Sequence, residues 1–195
     1  MDVVRNFSDL DLTKTYTYFD YLKWEFSERV ELIRGFIRKM SPAPNLSHQS
    51  VLYNLTIAFD FNFRRKPCRV VFAPFDVRLP IASAKKDTTV VQPDIFVVCN
   101  SEKLTDSGFN GAPDLIVEVI SPNNSKHDLI TKFNLYQEAG VKEYWIIHPI
   151  DKILSVYTLQ NGKYSGLQPQ SDGEKIKSTL FPDLNIELDD VFYNI

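Results

Sequence analysis

The chain has 195 residues, of which 44% are hydrophobic and 24% are charged, and its formal net charge is −3. This composition is that of a globular protein and excludes a disordered or fibrous chain, and the length predicts a single domain over residues 1–195 with a loose arm at 1–15. The first residues lack the apolar core of a signal peptide, and no apolar run is long enough to cross a membrane. Cys68 and Cys99 have no metal-like spacing, so we expect reduced thiols and a cytoplasmic protein.

The first half of the chain predicts one hairpin, two helices and two long strands. A helix is expected over residues 17–27, and apolar residues alternate on both sides of Gly35, which is typical of a hairpin over 29–40. Ser47 can begin a second helix, which Pro67 ends. Strands follow near 69–79 and 90–98.

The second half contains the clearest unit. Residues 114–120 predict a strand, 121–125 a turn, 128–139 a helix and 143–148 another strand. This order predicts a crossover in which the two strands are parallel and the helix covers one sheet face. Asn161-Gly162 indicates a hairpin near the C-terminus. The predicted fold class is α/β, a mixed β-sheet flanked by helices, with an N-terminal helix and a C-terminal β-hairpin.

Two carboxylates interrupt strands that are otherwise apolar. Asp94 follows Pro93, which lacks an N–H and belongs at a strand edge or end. Glu118 lies between Val117 and Val119, where an ionised carboxylate is costly unless it is paired, protonated or bound to metal. A structural salt bridge explains one such acid, whereas two acids on adjacent strands make a metal site about equally plausible.

The helix after Glu118 offers a cation to these acids. At 100° per residue, Lys132 falls inside the apolar arc formed by Leu129, Phe133 and Tyr136. Because that arc must face the sheet, Lys132 either extends its amine past the packed edge or points at the carboxylates. Asp128 borders the same arc.

Asp, Glu and Lys together suit hydrolysis of a phosphodiester. Mg²⁺ takes a few oxygen ligands and keeps waters for chemistry, and Mn²⁺ is expected to substitute for it.

Eleven Lys and Arg oppose three acids between residues 29 and 86. A solvated mixed surface is one explanation, and a basic face for an anionic ligand is the other. The candidate phosphate contacts are Arg64, Arg65, Lys66, Lys85 and Lys86.

Several segments, in order, resemble the Uma family of restriction-endonuclease-like proteins, which belongs to the PD-(D/E)XK nuclease superfamily. The match runs from about residue 16 to the C-terminus, and the segments are 30–35, 40–42, 48–49, 91–94, 112–122, Lys132 with Leu135-Tyr136, and 140–145. The resemblance implies the restriction-endonuclease core and Mg²⁺-dependent cleavage of DNA.

The resemblance also implies roles for particular residues. Asp94 and Glu118 would be metal ligands, joined by the backbone carbonyl of Val119. The superfamily lysine two places after the acid is replaced by Ile120, which makes Lys132 the candidate. Glu31 matches an early acidic position of the family and would assist the catalytic residues. His48 is expected either to support the site from the start of a helix or to be exposed to water, and Asp76 either to pair with Arg78 or to face the site. The supporting candidates are Gln92, His48, Asp76, Asp114 and Asp128.

Two other functions fit the same residues. A nuclease-shaped module could bind nucleic acid or protein without cutting, and a metal-dependent hydrolase could act on a smaller phosphate ester. Cutting both strands of DNA commonly takes two active sites, so we also expect a homodimer.

Overall fold

A computed structural model describes residues 3–40, 44–85, 87–121 and 126–195, with residues 126–128 described by their backbone alone. It contains two mixed sheets and four α-helices. The helices are α1 (Tyr18–Tyr21), α2 (Leu46–Phe63), α3 (Lys126–Ala139) and α4 (Leu188–Val191). The strands are β1 (Val30–Ile33), β2 (Phe36–Lys39), β3 (Arg69–Phe72), β4 (Val77–Arg78), β5 (Val90–Val91), β6 (Ile95–Val98), β7 (Leu104–Thr105), β8 (Gly108–Asn110), β9 (Leu115–Val119), β10 (Glu143–His148), β11 (Ile153–Gln160), β12 (Lys163–Gly166) and β13 (Gln170–Ser171).

The α/β class is confirmed, but the strands divide between two sheets. The first sheet has the order β2-β1-β5-β4-β8-β7, and the second has the order β12-β11-β10-β9-β6-β3, with β13 also paired to β11. The predicted crossover is confirmed, since β9 and β10 are parallel and α3 connects them. Both predicted hairpins are present, and their turns use Arg34-Gly35 and Asn161-Gly162, all with positive φ.

The two long strands predicted at 69–79 and 90–98 each break in the middle. Their first and second halves belong to different sheets, because β3 and β6 pair in the second sheet while β4 and β5 pair in the first. The breaks fall at Pro74 and Pro93, which cannot donate a backbone hydrogen bond to a neighbouring strand. Asp94 therefore lies where the two sheets separate.

Two helix predictions need correction. The helix expected over 17–27 ends at Tyr21, because the backbone at Lys23 and Glu25 bonds to Val4 instead. The second helix begins at Leu46, and its N-cap is Asn45, whose side chain accepts a hydrogen bond from the His48 N–H; Ser47 lies inside the first turn. The turn predicted at 121–125 falls outside the described residues beyond Ser121.

The second sheet packs apolar side chains on both faces. Residues such as Val117 and Trp145 face α2 and the C-terminal segment, whereas Phe96, Ile116 and Tyr144 face α3 and the first sheet. Because side chains alternate along a strand, Glu118 and Asp94 share the second of these faces.

The cysteine prediction is wrong. Cys68 and Cys99 form a disulfide. The antiparallel register that pairs Arg69 with Val98 brings the two cysteines opposite each other one position further along. A spacing of 31 residues in the chain does not reveal this pairing, and the argument for a reducing compartment no longer holds.

Among the described residues, no helix combines the length and the apolar character needed to cross a membrane.

Candidate active site

The two predicted acids lie opposite each other. The register that pairs Ile95 with Val117 continues to Asp94 and Glu118 at the ends of β6 and β9. Asp94 Oδ2 accepts a hydrogen bond of 2.8 Å from the Val119 N–H, which ties the aspartate to the neighbouring strand. The chain bend before β6 and the end of β9 therefore bring the carboxylates of Asp94 and Glu118 side by side.

Helix α3 brings two donors to Glu118. Lys132 Nζ and Tyr136 Oη lie four residues apart on one helix face and donate to the same oxygen, Oε1 of Glu118, at 2.9 and 2.6 Å. Of the two orientations expected for Lys132, the structure shows the one in which its amine points at the carboxylates. Tyr136 was not predicted as a site residue, because an aromatic residue in an apolar arc is usually core.

A third carboxylate comes from the first sheet. Glu31 on β1 is buried, and its Oε1 lies 3.3 Å from Lys132 Nζ and accepts a hydrogen bond of 3.0 Å from the Gln92 N–H. One ammonium group thus lies between two buried glutamates from different sheets.

Burial and neighbouring charges shift the pKa values of the groups in the site. Burial raises the pKa of Glu118 to about 7, and the charges of Asp94 and Glu31 act in the same direction, while Lys132 opposes them. Burial works against the Lys132 ammonium, but the three carboxylates outweigh it and raise the lysine pKa above its usual value. Three carboxylates and one ammonium leave excess negative charge when all are ionised.

The candidate residues open into one cavity of about 340 Å³. Glu31, Asp94, Glu118, Val119 and Lys132 all line it. The hairpin of β1 and β2 adds basic side chains to the cavity lining. Arg29 immediately precedes β1, and Arg38 and Lys39 lie on β2.

The sequence does not single out these three cations. In the sequence they are ordinary polar positions of a hairpin, and only the packing of that hairpin beside the carboxylates distinguishes them. Arg29 Nη2 also donates a hydrogen bond of 2.9 Å to Gln92 Oε1. This bond connects the basic wall of the cavity to the residue before Pro93, where the predicted strand breaks.

The predicted phosphate contacts do not line the cavity. Arg64, Arg65 and Lys66 follow the last residue of α2, about 24 Å along the helix axis from His48, and Arg64 forms an ion pair with Asp60. Lys85 is exposed and lies outside the cavity lining, and Lys86 is not among the described residues. Their role as phosphate contacts stays a prediction, and it would require DNA to extend beyond the cavity.

Of the two positions expected for His48, the one exposed to water is wrong. Its side chain is 6% exposed, and Nε2 lies 3.2 Å from Asp94 Oδ2. The other ring nitrogen, Nδ1, is buried and has no partner among the described residues. The helix turn capped by Asn45 thus directs His48 at the aspartate.

Of the remaining support candidates, Gln92 lines the cavity, whereas Asp76 does not. Asp76 does not pair with Arg78, because its Oδ1 accepts from Tyr21 Oη at 3.1 Å and from Gln92 Nε2 at 2.9 Å, so it reaches the cavity only through Gln92. Arg78 instead lies 4.0 Å from Asp87. The Asp128 side chain is not described.

Asp114 does not support the site either. It precedes β9, at the opposite end from Glu118, and its oxygens bind the Lys142 ammonium and the Cys99 N–H at 2.6 and 2.7 Å.

Glu143 is a buried acid that serves the fold. It lies on β10 and accepts four hydrogen bonds, two at each oxygen, from the Trp145 indole, the Ser178 hydroxyl and the N–H groups of Thr179 and Leu180. This carboxylate fixes the segment after β13 to the sheet.

Asp94 and Glu118 each have one carboxylate oxygen that takes no part in the hydrogen bonds described above. Among the described residues, no hydrogen bond reaches Oδ1 of Asp94 or Oε2 of Glu118. Within the same residues, no group of three or more His, Cys, Asp or Glu side chains could hold a metal ion. Two carboxylate oxygens with room for water match the few protein ligands that Mg²⁺ takes, so the residues fit this ion.

Comparison with known proteins agrees with this fold. A family model described as "Uma2: Putative restriction endonuclease" matches residues 19–189. The curated relative "Uncharacterized protein slr1290" from Synechocystis sp. is 25% identical over 141 residues, which is 71% of each chain. A crystal structure described as a putative nuclease belonging to DUF820 from Anabaena variabilis has a TM-score of 0.71 and 20% identity, and the match covers 91% of this chain and 97% of that one.

Proposed function

Because the chain belongs to the Uma2 family, we propose that it is a Mg²⁺-dependent endonuclease that hydrolyses phosphodiester bonds in DNA. The observation that carries this proposal is the meeting of Asp94, Glu118 and Lys132 in one cavity. The buried Glu143, by contrast, is surrounded by donors on both oxygens and has no cation beside it.

Asp94 Oδ1 and Glu118 Oε2 would hold the ion, and the carbonyl of Val119 is the proposed third protein ligand. When bound, Mg²⁺ lowers the pKa of a coordinated water and neutralises charge on the phosphate. The two carboxylates fit this work because they face each other from adjacent strands and Asp94 is fixed by the Val119 N–H.

Lys132 and Tyr136 would set the orientation of Glu118. Both donate to Oε1, so the carboxylate cannot rotate without losing two hydrogen bonds, and Oε2 is left for the ion. Burial and the nearby acids raise the pKa of Tyr136 well above its usual value, so it remains a neutral donor. The Lys132 ammonium also lines the cavity, where it can stabilise charge on a phosphoryl oxygen.

DNA is the proposed substrate because the carboxylates lie beside a basic cavity wall. Arg29, Arg38 and Lys39 line the same cavity and would contact phosphates on either side of the scissile bond. Cleavage of both strands would use two copies of the chain.

The test is plasmid nicking with Mg²⁺ or Mn²⁺, stopped by EDTA. Asp94→Asn and Lys132→Ala should abolish nicking. Their matched controls are Asp114→Asn and Lys142→Ala, which remove a partly buried aspartate and a lysine that pair with each other outside the cavity.

Equal nicking by the Asp94→Asn and Lys132→Ala proteins would refute the proposed site. DNA binding that persists in EDTA without products at any metal concentration would favour a binding module. Turnover of a chromogenic phosphodiester without any plasmid nicking would favour a smaller substrate.

A further inference from the structure

Helix α2 exposes an apolar stripe on the side opposite its buried face. Leu46, Tyr53, Ile57 and Phe61 are 81%, 66%, 52% and 84% exposed. At 100° per residue these four positions fall within an arc of about 80°, which also contains Ser50 between Leu46 and Tyr53, so they lie along one side of the helix. We call these four residues the α2 stripe.

The composition of α2 is typical of the centre of a protein interface. Of its 18 residues, Asp60 is the only Asp, Glu, Lys or Arg. Two of the four stripe residues are aromatic, and interface cores are enriched in aromatic residues and depleted of charge. Tyr193, which is 66% exposed, extends the surface, because its carbonyl accepts a hydrogen bond from Asn54 on the same helix.

The exposed area fits an interface between two chains. Aromatic side chains have areas of about 150–250 Å² and Leu and Ile somewhat less, so at these exposures the α2 stripe presents on the order of 500 Å². This is near the upper end for a patch on a monomer, and it is more than half of the roughly 800 Å² that each partner buries in a standard interface.

We propose that the α2 stripe binds the α2 stripe of a second copy of this chain, with the two helices antiparallel. The stripe runs from Leu46 to Phe61, and its midpoint lies beside Tyr53. A two-fold axis at that midpoint places Leu46 of one copy against Phe61 of the other and buries both halves of the stripe. The occupant is a second copy because this axis pairs the two most exposed residues of the stripe, Leu46 and Phe61, and because the exposed area approaches what one partner of a dimer buries.

The first test is the mass of the protein in solution, measured by sedimentation over a wide range of concentration. The wild type should have twice the 22.5 kDa mass of one chain. Ile57→Asp should weaken the dimer on the order of 10²-fold or more, because each dimer then buries two charges. The matched control is Ile130→Asp on α3, since Ile130 is 51% exposed, and this protein should remain a dimer.

Circular dichroism shows whether the variants fold, and Phe61→Ser is a milder second change that should also weaken the dimer. A monomeric wild type at every concentration would overturn the proposal. So would a dimer that Ile57→Asp leaves intact or that Ile130→Asp dissociates. None of these measurements depends on nuclease activity, so this proposal and the proposed function can fail separately.

Cross-linking tests the antiparallel arrangement. The described cysteines form a disulfide, so a bifunctional maleimide reacts with introduced thiols. Mixing Leu46→Cys chains with Phe61→Cys chains should give cross-linked dimers. Either variant alone should not, because identical positions then lie about 22 Å apart along the helix axis. The reverse pattern would exclude the antiparallel arrangement.

Discussion

Two buried glutamates on neighbouring strands should respond in opposite ways to the same substitution. Glu118 and Glu143 are 7% and 0% exposed, and both accept short hydrogen bonds. We predict that Glu118→Gln abolishes cleavage and leaves stability nearly unchanged, whereas Glu143→Gln lowers stability and leaves the chemistry of the site intact.

The magnitude for Glu143 follows from its donors. A glutamine has one acceptor oxygen, but each oxygen of Glu143 accepts two hydrogen bonds. The amide nitrogen must therefore face two of these donors, of which only the Ser178 hydroxyl can turn to accept from it, so one or two buried N–H groups are left unsatisfied. At about 1–3 kcal/mol for each buried unsatisfied donor, the loss is about 1–6 kcal/mol. This is a large part of the total stability of a typical domain.

The same arithmetic gives a small loss for Glu118. Both donors, Lys132 and Tyr136, bind Oε1 of Glu118. The side-chain oxygen of the glutamine can take the place of Oε1, and the amide nitrogen then faces the cavity. Lys132 also keeps Glu31 at 3.3 Å, so its charge is not left unpaired. We therefore expect a stability change within about 1 kcal/mol. Nicking should fall at least about 10²-fold, because a charged metal ligand is lost.

The assay is urea unfolding followed by circular dichroism in EDTA, together with plasmid nicking in Mg²⁺. With a slope of roughly 2 kcal/mol per molar urea, Glu143→Gln should lower the midpoint by about 0.5–3 M. Nicking is measured without urea, under conditions in which both variants are folded. An active Glu118→Gln protein, or a Glu143→Gln protein with an unchanged midpoint, would refute this division of roles.

Three further predictions concern single interactions. Tyr136→Phe should weaken Mg²⁺ binding by about 10–100-fold, measured by calorimetry, and leave the KM for DNA unchanged, because it removes a positioning hydroxyl. Hydrogen bonds from the Thr17 backbone N–H and hydroxyl lower the pKa of Asp20 from its ordinary value of 3.8. The ionised carboxylate therefore stabilises the fold above pH 3.8, and this stabilisation is lost as the pH falls through the pKa of the folded protein. Asp20→Ala should lower the free energy of unfolding by about 0.5–2 kcal/mol at neutral pH and by little in acid, measured by urea unfolding. Arg38→Ala should reduce the slope of log affinity for DNA against log salt by about 1, whereas Arg65→Ala should leave it unchanged.

Much of the fold follows from local rules in the sequence. The turns at Arg34-Gly35 and Asn161-Gly162 need positive φ, and the residues there permit it. The crossover from β9 through α3 to β10 follows from element order alone. The split into two sheets could not be predicted, because a proline interrupts a strand without showing on which side the chain continues.

The candidate site was predictable where a polar residue conflicts with its apolar surroundings. Asp94, Glu118 and Lys132 each interrupt an apolar pattern, and the structure brings them together. Glu143 begins a strand and His48 lies in a first helical turn, so both look like ordinary surface positions in the sequence. Their burial depends on segments distant in the chain, which no local pattern records.

The most direct test of the central claim is anomalous diffraction from crystals soaked in Mn²⁺. We predict a peak within bonding distance of one oxygen of Asp94 and one oxygen of Glu118, while the other Glu118 oxygen keeps its hydrogen bonds from Lys132 and Tyr136. Crystals that show no peak between these acids, or a peak only elsewhere on the protein, would contradict the account.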